Sequence, residues 1–114
     1  MFQSLSHIMM WTNDINRAMQ FYTQKLGCKV NFEALPHYAS LRHEPSGVGI
    51  ALHPSDEGKE VGTGPMPYFK VANVEVTLKE LAAKGIKVGK LQNEGGHKFA
   101  TFWDSEGNAL GIQQ

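Results

Sequence analysis

The chain has 114 residues, of which 41% are hydrophobic, which is enough for one globular domain with a real core but not for two independent domains. Lys plus Arg and Asp plus Glu number 11 each, so no excess of positive charge favours nucleic acid as a partner. No apolar run reaches membrane-spanning length, no secretion signal pattern is visible, and the single cysteine cannot form an intrachain disulfide, so we expect a cytoplasmic protein without membrane contact.

The first predicted elements are a strand and a capped helix. Leu5 to Thr12 is rich in apolar residues and free of Gly and Pro, which is typical of a strand buried on both faces. Asn13 and Asp14 can accept hydrogen bonds from the free N–H groups at a helix start, so a helix is predicted from Ile15. Gly27 is expected to end this helix in the left-handed conformation. One helical face carries the apolar residues Ile15, Ala18, Met19, Tyr22 and Leu26.

Three further strands are predicted in the first half of the chain. They cover Val30 to Ala34, His37 to Arg42 and Gly49 to His53, and turns at Leu35-Pro36 and Pro45-Ser46-Gly47 separate them. A polar stretch with several glycines and prolines follows, and it lies near the middle of the chain. Because a linker in this position suggests a duplication, we compared the two halves directly.

The second half repeats the pattern of the first. With Asn73 aligned on Asp14, Asn73 is predicted to cap a second helix, and Gly85 is predicted to end it. The apolar face of that helix comprises Val74, Leu78, Leu81 and Ala82. Ala39-Ser40-Leu41 then corresponds to Ala100-Thr101-Phe102. The predicted fold class is α+β, with two tandem β-α-β-β-β modules, about residues 1–57 and 64–114, that form a curved mixed sheet around a shared cavity.

Two motifs in register with this duplication resemble a known family. A histidine in the first strand, His7, precedes a pattern of Asp14, Phe21-Tyr22 and Leu26-Gly27, and a DSEGN turn precedes the last strand. The sequence resembles the vicinal oxygen chelate superfamily, which includes glyoxalase I, bleomycin resistance proteins, extradiol dioxygenases and fosfomycin resistance enzymes. This resemblance implies a homodimer, because modules of two chains often complete one another's cavity in relatives.

The resemblance also implies a divalent metal held by up to four side chains, from the first and last strand of each module. His7 stands at the first of these positions. The other three positions are occupied by Ala51, Met66 and Gly111. Because a single imidazole cannot hold a catalytic ion and Met is a poor ligand for hard cations, we predict that no metal cofactor is bound. The alternative is one divalent ion with shifted ligands, namely His7, His53 and Gln113.

The predicted function is a metal-independent small-molecule binding protein of the glyoxalase/bleomycin resistance type. Alternation along the strands predicts an aromatic surface that would bind a planar organic ligand between Trp11, Tyr68 and Trp103. The predicted ligand-binding residues are His7, Trp11, His53, Tyr68, Lys70 and Trp103. These rings could instead fill the core or cover a dimer contact. The other functions left open are a metal-dependent lyase, isomerase or dioxygenase that uses His7, and an accessory module for protein contacts; no catalytic residue is assigned.

Overall fold

A computed structural model describes residues 1–114, which divide into two compact units, Met1–Val61 and Gly62–Gln114. Each unit contains one helical segment and one four-stranded mixed sheet. The predicted α+β architecture of two tandem modules is confirmed. The boundary between the units falls within the stretch of residues 58–63 that separates the two predicted modules.

The first unit has the sheet order β1-β4-β3-β2, in which β1 and β4 are parallel and the other pairs are antiparallel. Its elements are β1 (His7–Thr12), α1 (Ile15–Gln20), a π-helical turn (Phe21–Lys25), β2 (Lys29–Ala34), β3 (Tyr38–His43) and β4 (Val48–Pro54). The helix α1 packs on β3 and β4. It therefore covers one face of this sheet and leaves the other face of these strands without a helix from the unit.

The predicted start of α1 is confirmed, but its end differs from an ordinary α-helix. The Asp14 side chain accepts a hydrogen bond from the Arg17 N–H at 3.1 Å, and Gly27 has a φ of +76°. The last turn is π-helical, with the Leu26 N–H donating to the Phe21 carbonyl at 3.2 Å. Because a π turn contains one extra residue, it rotates the apolar face, and Phe21, which does not belong to the predicted apolar face, is buried.

The prediction that the first strand is buried on both faces is wrong. The strand β1 begins at His7, two residues later than predicted, and its side chains alternate in burial. Met10 and Thr12 are buried, whereas His7 and Met9 are exposed. An apolar run gives the same signal whether one or both faces are covered, so the sequence alone could not distinguish the two cases.

The second unit repeats this topology with the sheet order β5-β8-β7-β6, in which β5 and β8 are parallel. Its elements are β5 (Tyr68–Lys70), α2 (Val74–Ala83), β6 (Gln92–Glu94), β7 (His97–Trp103) and β8 (Ala109–Gln113). The Asn73 side chain caps α2 by accepting from the Val76 N–H at 3.0 Å. Gly85 follows the helix with a φ of +78°, as predicted.

Each unit has its own apolar core between helix and sheet. In the first unit Ala18 and Tyr22 are fully buried, as are Leu41 and Leu52 on the covered sheet face. In the second unit the buried apolar side chains include those of Val74, Leu81, Phe102 and Leu110. The prediction that Ala82 belongs to the apolar face of α2 is wrong, because this residue is exposed. Neither helix has the length and apolar composition needed to cross a membrane.

Candidate functional site

The face of the first sheet that α1 does not cover is here called the open face. It carries a line of aromatic rings, here called the aromatic row: Trp11, His53 and Tyr38. Trp11 on β1 lies opposite His53 on β4, with 6.2 Å between the ring centroids. The Tyr38 ring on β3 lies 4.9 Å from the His53 ring at an angle of 67°. These edge-on contacts are the geometry that aromatic rings prefer, so the row is a packed unit that spans three strands.

Phe32 on the edge strand β2 extends the aromatic row. Its ring centroid lies 6.3 Å from that of Tyr38, and its side chain is 58% exposed. Trp11, His53 and Tyr38 are only partly buried, although they contact one another. The row therefore presents ring surface that other molecules can reach. Neither ring nitrogen of His53 makes a hydrogen bond within the protein, so the imidazole can donate to or accept from a ligand.

Trp11 and His53 are among the ligand-binding residues predicted from the sequence, whereas Tyr38 and Phe32 are not. Alternation along β3 does place Tyr38 on the open face, so a signal for this residue was available. Phe32 gave no such signal, because β2 contains a register shift between Val30 and Phe32. A shift of this kind reverses the alternation, and it cannot be read from the residue types.

His7, the predicted first metal ligand, lies on the same face but at the other end of β1. It is opposite Gly49, and its Nδ1 lies 2.9 Å from the Ser6 hydroxyl oxygen. His53 is opposite Trp11, four residues further along the paired strands, which corresponds to about 13 Å. The register therefore does not bring the imidazoles of His7 and His53 together. Gln113, the third member of the alternative ligand set, lies in the second unit.

In the second unit Tyr68 and Lys70 lie on β5, opposite Gly111 and Gln113 respectively. The Tyr68 ring lies directly against Gly111. A Cβ atom added to Gly111 would lie 2.6 Å from both Cδ2 and Cζ of this ring, which is closer than real Cβ contacts allow. The ring thus fills the space that a side chain at position 111 would need, while 47% of Tyr68 stays exposed.

Trp103 on β7 is partly covered by a residue that sequence reasoning did not identify. The Lys87 ammonium lies 4.7 Å from the Trp103 ring centroid, which is cation–π distance. The backbone supports this contact, because the Trp103 N–H donates to the Lys87 carbonyl at 3.0 Å. One face of the Trp103 indole is therefore occupied by an ammonium within the same unit.

The residues at the family's metal positions do not fit a catalytic divalent ion. Ala51 is fully buried and has no donor atom, Met66 offers only a thioether, and Gly111 lies under the Tyr68 ring. No group of three or more His, Cys, Asp or Glu side chains is close enough to hold a metal. The carboxylates of the DSEGN turn hold the turn instead. Asp104 Oδ1 accepts from the Glu106 and Asn108 N–H groups at 2.8 and 2.9 Å, and Glu106 Oε2 accepts from the Ser105 hydroxyl at 2.8 Å.

Comparison with known proteins agrees with this fold. A family model described as the Glyoxalase/Bleomycin resistance protein/Dioxygenase superfamily matches residues 4–112. The chain belongs to this superfamily. The resemblance to the vicinal oxygen chelate proteins is thereby confirmed. No curated protein sequence matches this superfamily member.

Solved structures of the superfamily share the fold across almost the whole chain. A glyoxalase family protein from Enterococcus faecalis has a TM-score of 0.82 at 22% identity, covering 99% of this chain and 98% of that one. TnmS3, an antibiotic binding protein from a Streptomyces species, has a TM-score of 0.83 at 17% identity, covering 99% and 96%. The fosfomycin resistance protein FosX from Listeria monocytogenes, solved as a mutant with Mn(II), has 0.79 at 15%, covering 99% and 90%. At these identities the similarity shows the fold alone.

Proposed function

We propose that this superfamily member binds a planar, partly apolar small molecule on the open face of its first sheet, without a metal ion. The observation that carries this proposal is the aromatic row of Trp11, His53 and Tyr38, which is packed edge to edge and yet accessible. Aromatic side chains lose little rotamer freedom when a ligand binds, and their faces and edges suit flat organic molecules.

The polar groups near the aromatic row are suited to orienting such a ligand. The His53 imidazole lies between two rings and has no hydrogen-bond partner within the protein, so a ligand that meets it gains a directed hydrogen bond. Ser40, two residues from Tyr38 on β3, lies on the same face and opposite Ala51. Ala51 is fully buried, but Ser40 is partly exposed, so its hydroxyl beside the rings is a polar group that can orient a flat molecule.

The kinship with TnmS3, which is an antibiotic binding protein, supports binding rather than chemistry as the function. The lack of metal-ligand side chains at positions 51, 66 and 111 supports binding as well. Binding by stacking needs no ion, whereas lyase, isomerase or dioxygenase chemistry in this superfamily would need one. Homodimer formation and a cytoplasmic location remain predictions. Sedimentation at micromolar concentration tests the first of these.

The experiment uses Trp11 as the reporter of binding. In a Trp103→Phe chain, Trp11 is the only tryptophan, and its fluorescence is titrated with a panel of planar aromatic compounds. We expect quenching by at least one compound. Tyr38→Ala in the same background should weaken the binding of that compound about fivefold or more, because a stacked ring contributes on the order of 1 kcal/mol.

Gln20→Ala is the matched control, since Gln20 is an exposed residue of α1, which packs on the opposite face of the sheet. This control should bind the compound as the parent does. The proposal fails if no compound in the panel quenches Trp11, or if Tyr38→Ala and Gln20→Ala bind equally well. One divalent ion bound per chain and lost in His7→Ala would contradict the metal-free mode and favour the enzyme alternative.

A further inference from the structure

A second line of side chains crosses the open face of the first sheet, parallel to the aromatic row. His7 on β1 and Arg42 on β3 are both opposite Gly49 on β4, and Lys29 on β2 is opposite Arg42. Because directly opposite residues project from the same face of a sheet, these three basic side chains form one line, here called the basic row.

The basic row lies four residues along the strands from the aromatic row. His7 and Trp11 mark the two rows on β1, and Arg42 and Tyr38 mark them on β3. At the rise of a β-strand this separation is about 13 Å. Between the rows, β3 and β4 carry only the small residues Ser40 and Ala51, of which Ala51 is fully buried. The bulkier side chains at this level, Met9 opposite Ala51 and Phe32 opposite Ser40, lie on the outer strands β1 and β2.

The basic side chains are exposed and only weakly compensated. Arg42 Nε lies 3.8 Å from Glu44 Oε2, and both side chains are more than half exposed, so solvent screens this ion pair. Lys29 and Arg42 are directly opposite each other although they carry the same charge. Like charges in this arrangement destabilise a strand pair, and an anion bound between them would relieve the repulsion.

Gly49 lies at the centre of the basic row, and its lack of a side chain lets His7 approach it closely. A Cβ atom there would lie 3.0 Å from the His7 Cβ and 3.1 Å from the Ser6 carbonyl oxygen. With no side chain at this position, the sheet between the imidazole and the guanidinium is bare backbone. An oxyanion that approaches the face can therefore contact Arg42 and His7 without an intervening group.

We propose that the ligand of this face is an elongated aromatic molecule that carries an anionic group, such as a sulfonate, carboxylate or phosphate, at one end. Its flat part contacts the aromatic row, and its anion is bound by Arg42 and Lys29, with His7 as an additional donor. This inference rests on the proposed function, since it assigns the chemical class of ligand to the same face.

Two matched fluorescent probes test the inference on the full chain. Toluidinonaphthalene sulfonate is elongated, aromatic and anionic, and N-tolyl naphthylamine is its counterpart without the sulfonate. We expect the anionic probe to bind more tightly than the neutral one. Arg42→Gln or Lys29→Gln should weaken the anionic probe about fivefold and leave the neutral probe unchanged. Added salt should reduce the difference between the probes.

Arg17→Gln is the control for charge, because it removes the only other arginine of the chain, from the helix on the opposite face. It should not change the affinity of either probe. If Arg42→Gln and Lys29→Gln both leave the affinity for the anionic probe unchanged, the inference is overturned, even where the neutral probe binds. The proposed function, and this inference with it, is overturned if the neutral probe does not bind. The same holds if the Tyr38→Ala chain binds the neutral probe as tightly as the parent chain does.

Discussion

Gly111→Ala should destabilise the protein, because the Tyr68 ring occupies the space of the new methyl group. The added Cβ would lie 2.6 Å from Cδ2 and Cζ of that ring, so the ring or the strand must move. Overpacking of this kind typically costs about 1–3 kcal/mol. Replacing Gly by Ala also restricts the unfolded chain, which contributes about 0.4–1 kcal/mol in the opposite direction. The expected net loss in free energy of unfolding is about 1–2 kcal/mol.

A double-mutant cycle measures this contact directly. The free energies of unfolding in urea are determined for the wild type, Gly111→Ala, Tyr68→Ala and the double variant. With the ring removed, Gly111→Ala should be neutral or slightly stabilising, which gives a coupling energy of about 1–3 kcal/mol. Gly64→Ala is the control, because a Cβ at Gly64 meets no atom within 4 Å.

Equal costs of Gly111→Ala in the presence and absence of the Tyr68 ring would refute the reasoning. The ring would then not lie on Gly111, and this position could accept the side chain that metal-binding relatives of the resembled family carry there. A coupling of the expected size would instead show that Tyr68 closes the position to any ligand side chain.

Three further predictions concern the core and the helices. Asp14→Ala and Asn73→Ala should each lower the free energy of unfolding by about 1 kcal/mol, measured in urea, because each removes the acceptor that caps a helix. Burial raises the pKa of the Cys28 thiol from 9.0 to about 11, so the unfolded chain loses this proton at a lower pH than the folded chain does. The free energy of unfolding in urea should therefore fall between pH 9 and 11, and more steeply in the wild type than in Cys28→Ala. Phe102→Ala should cost about 3–5 kcal/mol and Phe32→Ala much less, because only Phe102 is buried; thermal unfolding compares them.

Local signals in the sequence were sufficient for the helices and for the repeat. Asp14 and Asn73 are caps because a short side-chain oxygen before an apolar periodicity has few other roles, and Gly27 and Gly85 adopt the positive φ that only Gly reaches without strain. The DSEGN turn was also interpreted correctly, since Asp104 accepts from two backbone N–H groups of the turn.

The contacts that define the candidate site depend on register, which the sequence specifies only indirectly. The Tyr68 ring reaches Gly111 because β5 and β8 are paired in parallel, and these residues are far apart in the chain. The same holds for the Lys87 ammonium over the Trp103 ring. Phe32 joins the aromatic row through a register shift in β2. Alternation along single strands gives faces, but neighbours across strands follow only from the pairing.

The most direct test of metal-free binding on the first sheet is a heteronuclear NMR titration of the labelled chain with N-tolyl naphthylamine in the presence of a chelator. We predict saturable shifts that are largest at the Trp11 indole N–H and the His53 and Tyr38 side chains, with small shifts at Leu41 and Leu52 on the covered face. Binding that appears only after a divalent ion is added, or shifts that leave Trp11, His53 and Tyr38 unchanged, would contradict this prediction.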